Sequence, residues 1–531
     1  MARNNNNMKS RNSTGGKKNY SKKPNNKSWK DNYETKAEGQ NSGSNCMSPL
    51  NDFAWYNKNP NLTVAAASIP FPYRPGMKLP IYTSTTPTDV VQGNTLPGVM
   101  QINWIPSIGK ASDPTDPINI VGKEVFGKVR SAFSGSLEAD APDFIIYLLA
   151  LDSIFSYIGS LKRIYRTVST YSPNNYAVPD VVMAALGFIS QTNIEDLREN
   201  KMLLYQYINE LVKMTDKFVC PAVFDYFNRH YWMNDNVYTD AESANSQFYV
   251  FRQAQFYKFT LLDTPDSVQA GGLSLTAPSV LPTSTGIADI LYTFGKDLIN
   301  ALASADSSYT ISGYLRRAYE GTPAFRVDEV GMMDMLTPVY VPEVLMQIEN
   351  IDSVQQGLAI VTDTNITQNP KTNCLLYAPK LGSSPAYMTY GQFEPSLTVR
   401  SDTPTLLDVV EATRLTCHVK SDLSIIAGSE IVTGLTVFNN DLNPQGFYVG
   451  NSTDQINTIT DTDGFTIGDA QALAQISAFD WHPKYIVLWP TSTNDAVCIF
   501  QDLHNTTVIS EDVLANLHRM CLYSEFNSFA Q

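Results

Sequence analysis

Asp140-Ala-Pro-Asp-Phe-Ile-Ile-Tyr-Leu-Leu-Ala-Leu-Asp152, continued without a break to Ser169, is the stretch that decides the fold class. Phe144, Leu148, Leu151, Phe155, Ile158, Leu161, Tyr165 and Val168 recur at three-to-four spacing, which is the period of one helical face. Asp140 is placed to cap the first turn, with Pro142 just inside it. Lys162, Arg163 and Arg166 collect near the other end, where the helix dipole favours cations. The start of the helix is apolar nearly all round, so it belongs in a core. Asp143, Asp152 and Lys162 interrupt the run before it reaches the roughly 20 apolar residues that a bilayer span needs.

Helical periodicity extends on both sides. Val121, Val125 and Val129 predict an amphipathic helix over residues 118 to 133. Leu197, Leu204, Ile208, Leu211 and Val212 predict one over 194 to 219, closed by Cys220-Pro221. Ile287, Ile290, Leu291, Phe294, Leu298 and Leu302 predict another over 286 to 302. Helix on helix is therefore expected as far as about residue 350. Upstream, Pro70, Pro72, Pro75 and Pro80 disfavour a helix, and residues 52 to 106 read as an extended, aromatic-bearing segment lying on a neighbouring surface. Met332-Met333-Asp334-Met335 is expected to fill gaps in the core.

After residue 355 the period changes to two. Leu397 and Val399 alternate with polar neighbours, and Leu415, Cys417 and Val419 alternate with Thr416, His418 and Lys420. Gly428, Gly434, Asn439-Asn440 and Asn443-Pro-Gln-Gly446 supply turns, so an antiparallel β-unit is expected, ending near Trp481-His-Pro483. Tyr485-Ile-Val-Leu-Trp489 reads as one more buried strand. Ser510 then caps a last helix carrying Val513, Leu514, Leu517 and Cys521, which lacks a partner nearby. The C-terminus is expected to return to the helical unit, making the β-unit an insertion and the fold class α+β.

The N-terminus has the composition of neither unit. Arg3, Lys9, Arg11, Lys17, Lys18, Lys22, Lys23, Lys27 and Lys30 occupy the first thirty residues with not one acid. Asn, Ser and Gly fill the gaps, and too little apolar surface is present to offset the entropy of ordering the backbone, so a disordered basic arm is expected over residues 1 to 47. Residues 1 to 50 carry a net charge of +7 and the remaining residues −21, within a total of −14. A cationic leader on an acidic body points to a polyanion held by the arm without sequence preference, the alternative being a solvated tail that only keeps the body soluble.

Little else in the sequence carries chemistry. GxGxxG, P-loop, HExxH and GxSxG patterns do not occur, six cysteines form no CxxC, and five histidines leave few candidate bases. His418 beside Cys417 cannot pair with it directly on a strand, because neighbours face opposite ways. Asp461-Thr-Asp463-Gly464 begins like a calcium loop, but its twelfth position is Ala472 and its glycine comes early. Arg229-His-Tyr-Trp-Met233 mixes cations with aromatics and is read as helix-end packing. No catalytic residue, metal or cofactor is expected. The cysteines read as reduced thiols of an intracellular product, the N-terminus lacks the apolar core of a signal peptide, and the sequons at Asn61, Asn365, Asn451 and Asn505 are read as unused.

Segments spread over the folded part resemble picobirnavirus capsid proteins: Trp55-Tyr-Asn-Lys-Asn-Pro60, Ala65-Ala-Ala-Ser-Ile-Pro-Phe71, Leu96-Pro-Gly-Val-Met100, Pro106-Ser-Ile-Gly109, Asp140-Ala-Pro-Asp143, Tyr147-Leu-Leu-Ala-Leu-Asp-Ser153, Arg229-His-Tyr-Trp-Met233, Val237-Tyr-Thr-Asp240, Ile311-Ser-Gly313 with Ala318-Tyr319, Val344-Leu-Met-Gln-Ile-Glu-Asn350 and Ser524-Glu-Phe-Asn527. Residues 360 to 480 do not contribute to the resemblance. It implies a structural protein of a double-stranded RNA virus, found in the virion and assembled in the host cytoplasm, whose homodimers, sixty per particle, build a small icosahedral shell. It further implies a helical shell domain over residues 48 to 354, a β-rich projecting domain over 355 to 480, and a return to the shell over 481 to 531. The nine N-terminal cations would face the viral RNA. Family members are also credited with release of an N-terminal peptide by self-cleavage and with membrane perturbation during entry, although no nucleophile–base pair here supports the cleavage. The alternative of another class is a non-icosahedral RNA-binding nucleoprotein that coats its strand. A two-domain hydrolase with a basic tail lacks the paired catalytic residues it would need.

Overall fold

The computed structural model describes residues 53–77, 98–170, 178–188, 190–243, 245–278, 287–354, 360–383, 394–438, 476–490, 495–502 and 504–527, with a few shorter pieces. The chain divides into two units, Met1–Pro72 and Tyr73–Gln531.

In the first unit the expected extended segment contains a helix, α1, over Pro60–Ala67. Asn59 caps it by accepting from the Asn61 amide at 3.0 Å, and Pro60 stands at a first-turn position where its missing amide is harmless. The prolines that argued against a helix all follow it. None of its residues is buried.

The second unit is built around the long helix. Preceded by α2 (Pro117–Ala132), α3 spans Ala141–Ser169, within a residue of the sequence expectation, and is buried along nearly its whole length. Its first turn is held by a capping box in which the Asp143 carboxylate accepts from the Asp140 amide at 2.9 Å. Asp143→Ala is expected to lower stability by about 1 kcal/mol, read from urea denaturation midpoints. An unchanged midpoint would show that the box adds nothing.

Around α3 pack α4 (Val178–Ala185), α5 (Gln191–Glu199), α6 (Lys201–Thr215), α7 (Asp225–Asp235), α8 (Ile287–Ala303) and α9 (Asp306–Ala318). The single helix expected over 194 to 219 is thus two. Asn200 separates them, its side chain turning back to the Asp196 carbonyl at 3.0 Å and carboxylate at 2.9 Å, a local bond that competes with helix continuation.

The expectation of helix on helix up to residue 350 fails for a definite reason. Val99–Pro106 is not a surface strap but β1, the middle strand of a five-stranded sheet. With β2 (Tyr238–Thr239), β3 (Phe248–Gln253), β7 (Glu430–Phe438) and β8 (Tyr448–Val449), the order is β8-β7-β1-β3-β2. β1 runs parallel to β3 and antiparallel to β7, with a register shift between Val432 and Gly434. A long hairpin, β4 (Phe256–Asp263) and β5 (Gln269–Thr276), follows β3. β1 and β7 are covered on both faces, so neither shows the apolar–polar alternation that reveals a half-exposed strand. One face carries Met100, Ile102 and Trp104 against Leu345 and Ile348 of α10 (Pro342–Glu349). The segment after residue 355 therefore donates its longest described strand to a sheet begun before residue 110.

Further on, β6 (Ser396–Val399) leads into α11 (Leu406–Ala412), and β9 (Tyr485–Pro490) pairs with β10 (Asp495–Phe500). β11 (Asn505–Val508) returns to pair with β6. The last helix, α12 (Glu511–Phe526), starts at Ser510 as expected and packs on α2 and α7. Its buried face is Leu514, His518, Leu522 and Phe526 rather than the expected stripe, since Val513 is exposed. Phe526 meets Tyr226 with ring centroids 4.5 Å apart.

Candidate functional site: a buried charge network and the exposed faces

Where α3, α7, β7 and α12 converge, six ionisable side chains meet, with Asp152, His230, Arg414 and Glu430 buried and Arg229 and Glu525 partly exposed. Asp152, the acid that interrupts the apolar run of α3, lies 2.7 Å from His230 Nδ1, and both are buried. The other ring nitrogen, Nε2, lies 3.3 Å from the Ser429 carbonyl and 3.5 Å from Glu430 Oε1. Arg229, one residue before His230 on α7, makes a two-pronged pair with Glu430, its Nη2 donating to Oε2 at 3.1 Å. Arg414 donates to Ser429 Oγ at 2.9 Å and pairs with Glu525 of α12 at 2.5 Å. Three carboxylates thus face two guanidiniums and one imidazole, and the cluster is neutral when His230 carries its proton.

The electrostatics agree for His230 and Glu430, while burial raises the Asp152 carboxyl above its ordinary value and His230 pulls the other way. Burial alone would lower the His230 pKa, but the Asp152 and Glu430 carboxylates outweigh it and bring the imidazole to about 9. Burial would likewise raise Glu430, yet Arg229, His230 and Arg414 hold its carboxyl far below the usual range. His518 has the opposite fate: burial, with Arg414 beside it, pushes it down to about 4, so it stays neutral while bonding to the Thr416 carbonyl at 2.9 Å.

These shifts fix the sign of a pH dependence. His230 binds its proton more tightly folded than unfolded, so its stabilisation is complete below about pH 6.5 and is lost as pH rises through 9. His518 binds its proton less tightly folded, so its contribution is complete above about 6.5 and is lost on acidification toward 4. Stability should peak between the two. His518→Asn is expected to remove about 2 to 3 kcal/mol of acid sensitivity between pH 6.5 and 4. Denaturant titrations at stepped pH would show it, and parallel wild-type and variant curves would refute the assignment.

An Asp–His pair suggests acid–base chemistry, but both side chains of this one are buried, and the network they belong to joins four elements. The Arg229–Met233 segment is accordingly the middle of α7, packed in the core rather than at a helix end. Cys417 and His418 diverge as expected: the thiol approaches the Glu430 carbonyl at 3.7 Å, while the imidazole meets Glu511 at 3.1 Å.

One further cluster has the donors of a metal site. Ligand atoms of Glu349, Asp502 and His504 lie within 4.8 Å of one another. Arg400 already supplies the cation there, reaching both Glu349 oxygens at 3.0 Å and Asp502 Oδ2 at 2.8 Å while its guanidinium sits 3.8 Å from the Trp481 ring centroid. A metal ion would have to displace it, so the donor set does not fit one.

The exposed faces hold what the core lacks. Met332, Met333 and Met335 do not fill the core; they are 53%, 87% and 59% exposed. Their loop is anchored through its backbone, by Tyr165 Oη on the Met332 carbonyl at 2.8 Å and by Thr170 Oγ1 accepting from the Leu336 amide at 2.7 Å, which leaves the methionines outside. Trp55, Tyr56, Ile69 and Phe71 of the first unit, and Leu406 and Leu407 of the second, are exposed as well. The nine cations from Arg3 to Lys30, and the Asp461–Asp463 turn, lie outside the described residues.

Three comparisons bear on most of the chain. A family model described as picobirnavirus capsid protein matches residues 55–446, reaching well into the segment that the sequence resemblance left out. The capsid protein precursor of human picobirnavirus (strain Human/Thailand/Hy005102/-) is 25% identical over 524 residues, covering 90% of this chain and 91% of that protein. The crystallographic structure of the picobirnavirus capsid is similar in fold, with a TM-score of 0.69 at 20% identity, covering 90% of this chain and 98% of that one.

Proposed function

The chain belongs to the picobirnavirus capsid protein family and is a viral capsid protein, a component of the virion; from that premise we propose that its copies pair as symmetric dimers and close into an icosahedral shell around double-stranded RNA. The family match over residues 55–446 carries this reading. Closure by repeated use of one set of contacts needs apolar surface left over after the chain has folded, and Leu406, Leu407 and Met333 are such surface. The nine cations of the first thirty residues would contact the RNA backbone, and assembly would take place in the host cytoplasm. Residues 48–354 and 481–531 would form the shell and 355–480 the projection, except that β7 lies in the sheet begun by β1 and would belong with the shell; the packing of α12 on α2 and α7 supports the return of the C-terminus. Contact with a membrane during entry would fall to exposed side chains such as Trp55, Ile69 and Phe71 rather than to α3, which is buried.

Electron microscopy of the purified full-length chain tests the reading. Closed particles of one diameter, containing sixty dimers, are expected. Filaments along RNA would favour the strand-coating nucleoprotein instead, and a chain that stays monomeric at high concentration would refute assembly altogether.

A further inference from the structure

Two helices of the second unit carry a glycine that nothing inside the molecule requires. Gly127 in α2 and Gly313 in α9 are exposed, and a Cβ built on either would meet no atom within 4 Å. Mid-helix glycine costs about 1 kcal/mol against alanine, so an internal reason is missing and an external one is called for: bare backbone lets another surface approach closely.

The neighbours of these glycines repeat one pattern. Lys123 and Arg130 stand four before and three after Gly127, and Tyr309 and Arg316 stand four before and three after Gly313. That spacing puts each trio on one stripe of its helix, and all six residues are exposed. The C-terminal ends of α2 and α9 adjoin, for the Phe133 and Tyr314 rings are 5.1 Å apart and the Arg317 guanidinium lies 5.5 Å from the Phe133 ring. Lys123 and Arg130 spend hydrogen-bond donors on the Pro114 and Gly135 carbonyls, although Lys123 also lies near the Asp113 carboxylate. On a body of net charge −21 this is a basic face with a smooth surface.

Its complement is on the same chain. α10 packs beside α11, where Glu343, Asp408 and Glu411 lie close enough that the two neighbouring carboxylates, after burial, raise the pKa of Glu411. Among the described residues no cation acts to lower it. Exposed Leu406 and Leu407 border these acids.

We propose that the α2–α9 face of one copy docks on the α10–α11 face of the next, with Arg316 and Arg317 opposite Glu343 and Glu411. The inference rests on the shell reading above and names one of its contacts. A second copy fits better than RNA: the face pairs exposed aromatic surface at Tyr309 with its arginines, and the acidic face of a second copy brings both carboxylates and the apolar edge around Leu406 to meet it. Acidic bodies also repel one another unless positive surface is placed between them. Such a contact is heterologous, passing from copy to copy until symmetry closes it.

The test is charge reversal in the full chain. R316E/R317E, and separately E343R/E411R, are each expected to lower the fraction assembled at fixed concentration by roughly tenfold or more. Combining all four substitutions should restore it. E343R alone, on an exposed residue, keeps the test valid if Glu411 is needed for folding. Gly313→Leu supplies a second readout, since it should raise the melting temperature of unassembled chain and yet impair assembly. If R316E/R317E assembles normally, or loses only nucleic acid, the docking is wrong. If wild-type chain forms no particles, the shell reading fails and this contact with it; if wild-type particles form and the variants are indifferent, only the contact fails.

Discussion

Glu430→Gln is expected to cost about 3 to 5 kcal/mol of stability, a large part of what a folded unit has to lose. The carboxylate is completely buried at the start of β7 and is the common partner of Arg229 and His230. Glutamine keeps the shape but removes the charge, leaving a mostly buried guanidinium and a buried imidazolium with Asp152 as a remaining carboxylate partner and the neutral Gln347 amide and Ser429 carbonyl beside them. The damage should be non-additive. Arg229→Met in the same chain removes the orphaned cation, so E430Q/R229M should be more stable than the sum of the single changes by 1 kcal/mol or more, as coupled buried pairs are. Urea denaturation of the four species, with unchanged m-values, would measure it. Strictly additive losses would mean that Glu430 and Arg229 act independently, which the two-pronged geometry denies. Hydrogen exchange gives a spatial check: because Arg414 links Glu430's neighbour Ser429 to Glu525, α12 should lose protection early in the variant.

That network shows where sequence reading stops. α3 was legible because cap, proline, period and terminal cations all agreed over one continuous stretch. β1 and β7 were not, since a strand covered on both faces carries no alternation and the two pair with each other across more than three hundred positions of sequence. The charge cluster gathers Asp152, Arg229, His230, Arg414, Glu430 and Glu525 from distant segments, so no spacing rule finds it. One signal was available: an aspartate in the middle of a helix apolar all round needs a buried cation, and the sequence treats Asp152 only as an interruption. The methionine run misled for a related reason, because composition marks Met332 to Met335 as core while the backbone bonds of the loop turn them outward. Charge along the chain, by contrast, needs no fold to be read, and it supplies the remaining prediction.

Chain lacking residues 1–47 is expected to assemble into particles that contain almost no nucleic acid, while full-length chain assembles around it. Every cation between Arg3 and Lys30 would be gone, and what is left carries the net negative charge of the body, which repels phosphate. Nine cations that each displace about one condensed counterion give a log–log salt slope of order −6 to −8, so affinity for any RNA should fall about 10⁴-fold between 50 and 200 mM salt. Sequence should not matter, because phosphate contacts carry no base information. The ratio of absorbance at 260 to 280 nm in purified particles, with filter binding across a salt series, reads both effects. Particles of equal nucleic-acid content with and without the leader would show that the body holds RNA despite its charge. A slope near zero would show that the leader binds by something other than counterion release. Both outcomes are sharp because assembly and packaging are assigned to different parts of the chain, the first to contacts between faces of the folded unit, the second to the excess of lysine and arginine in the leader.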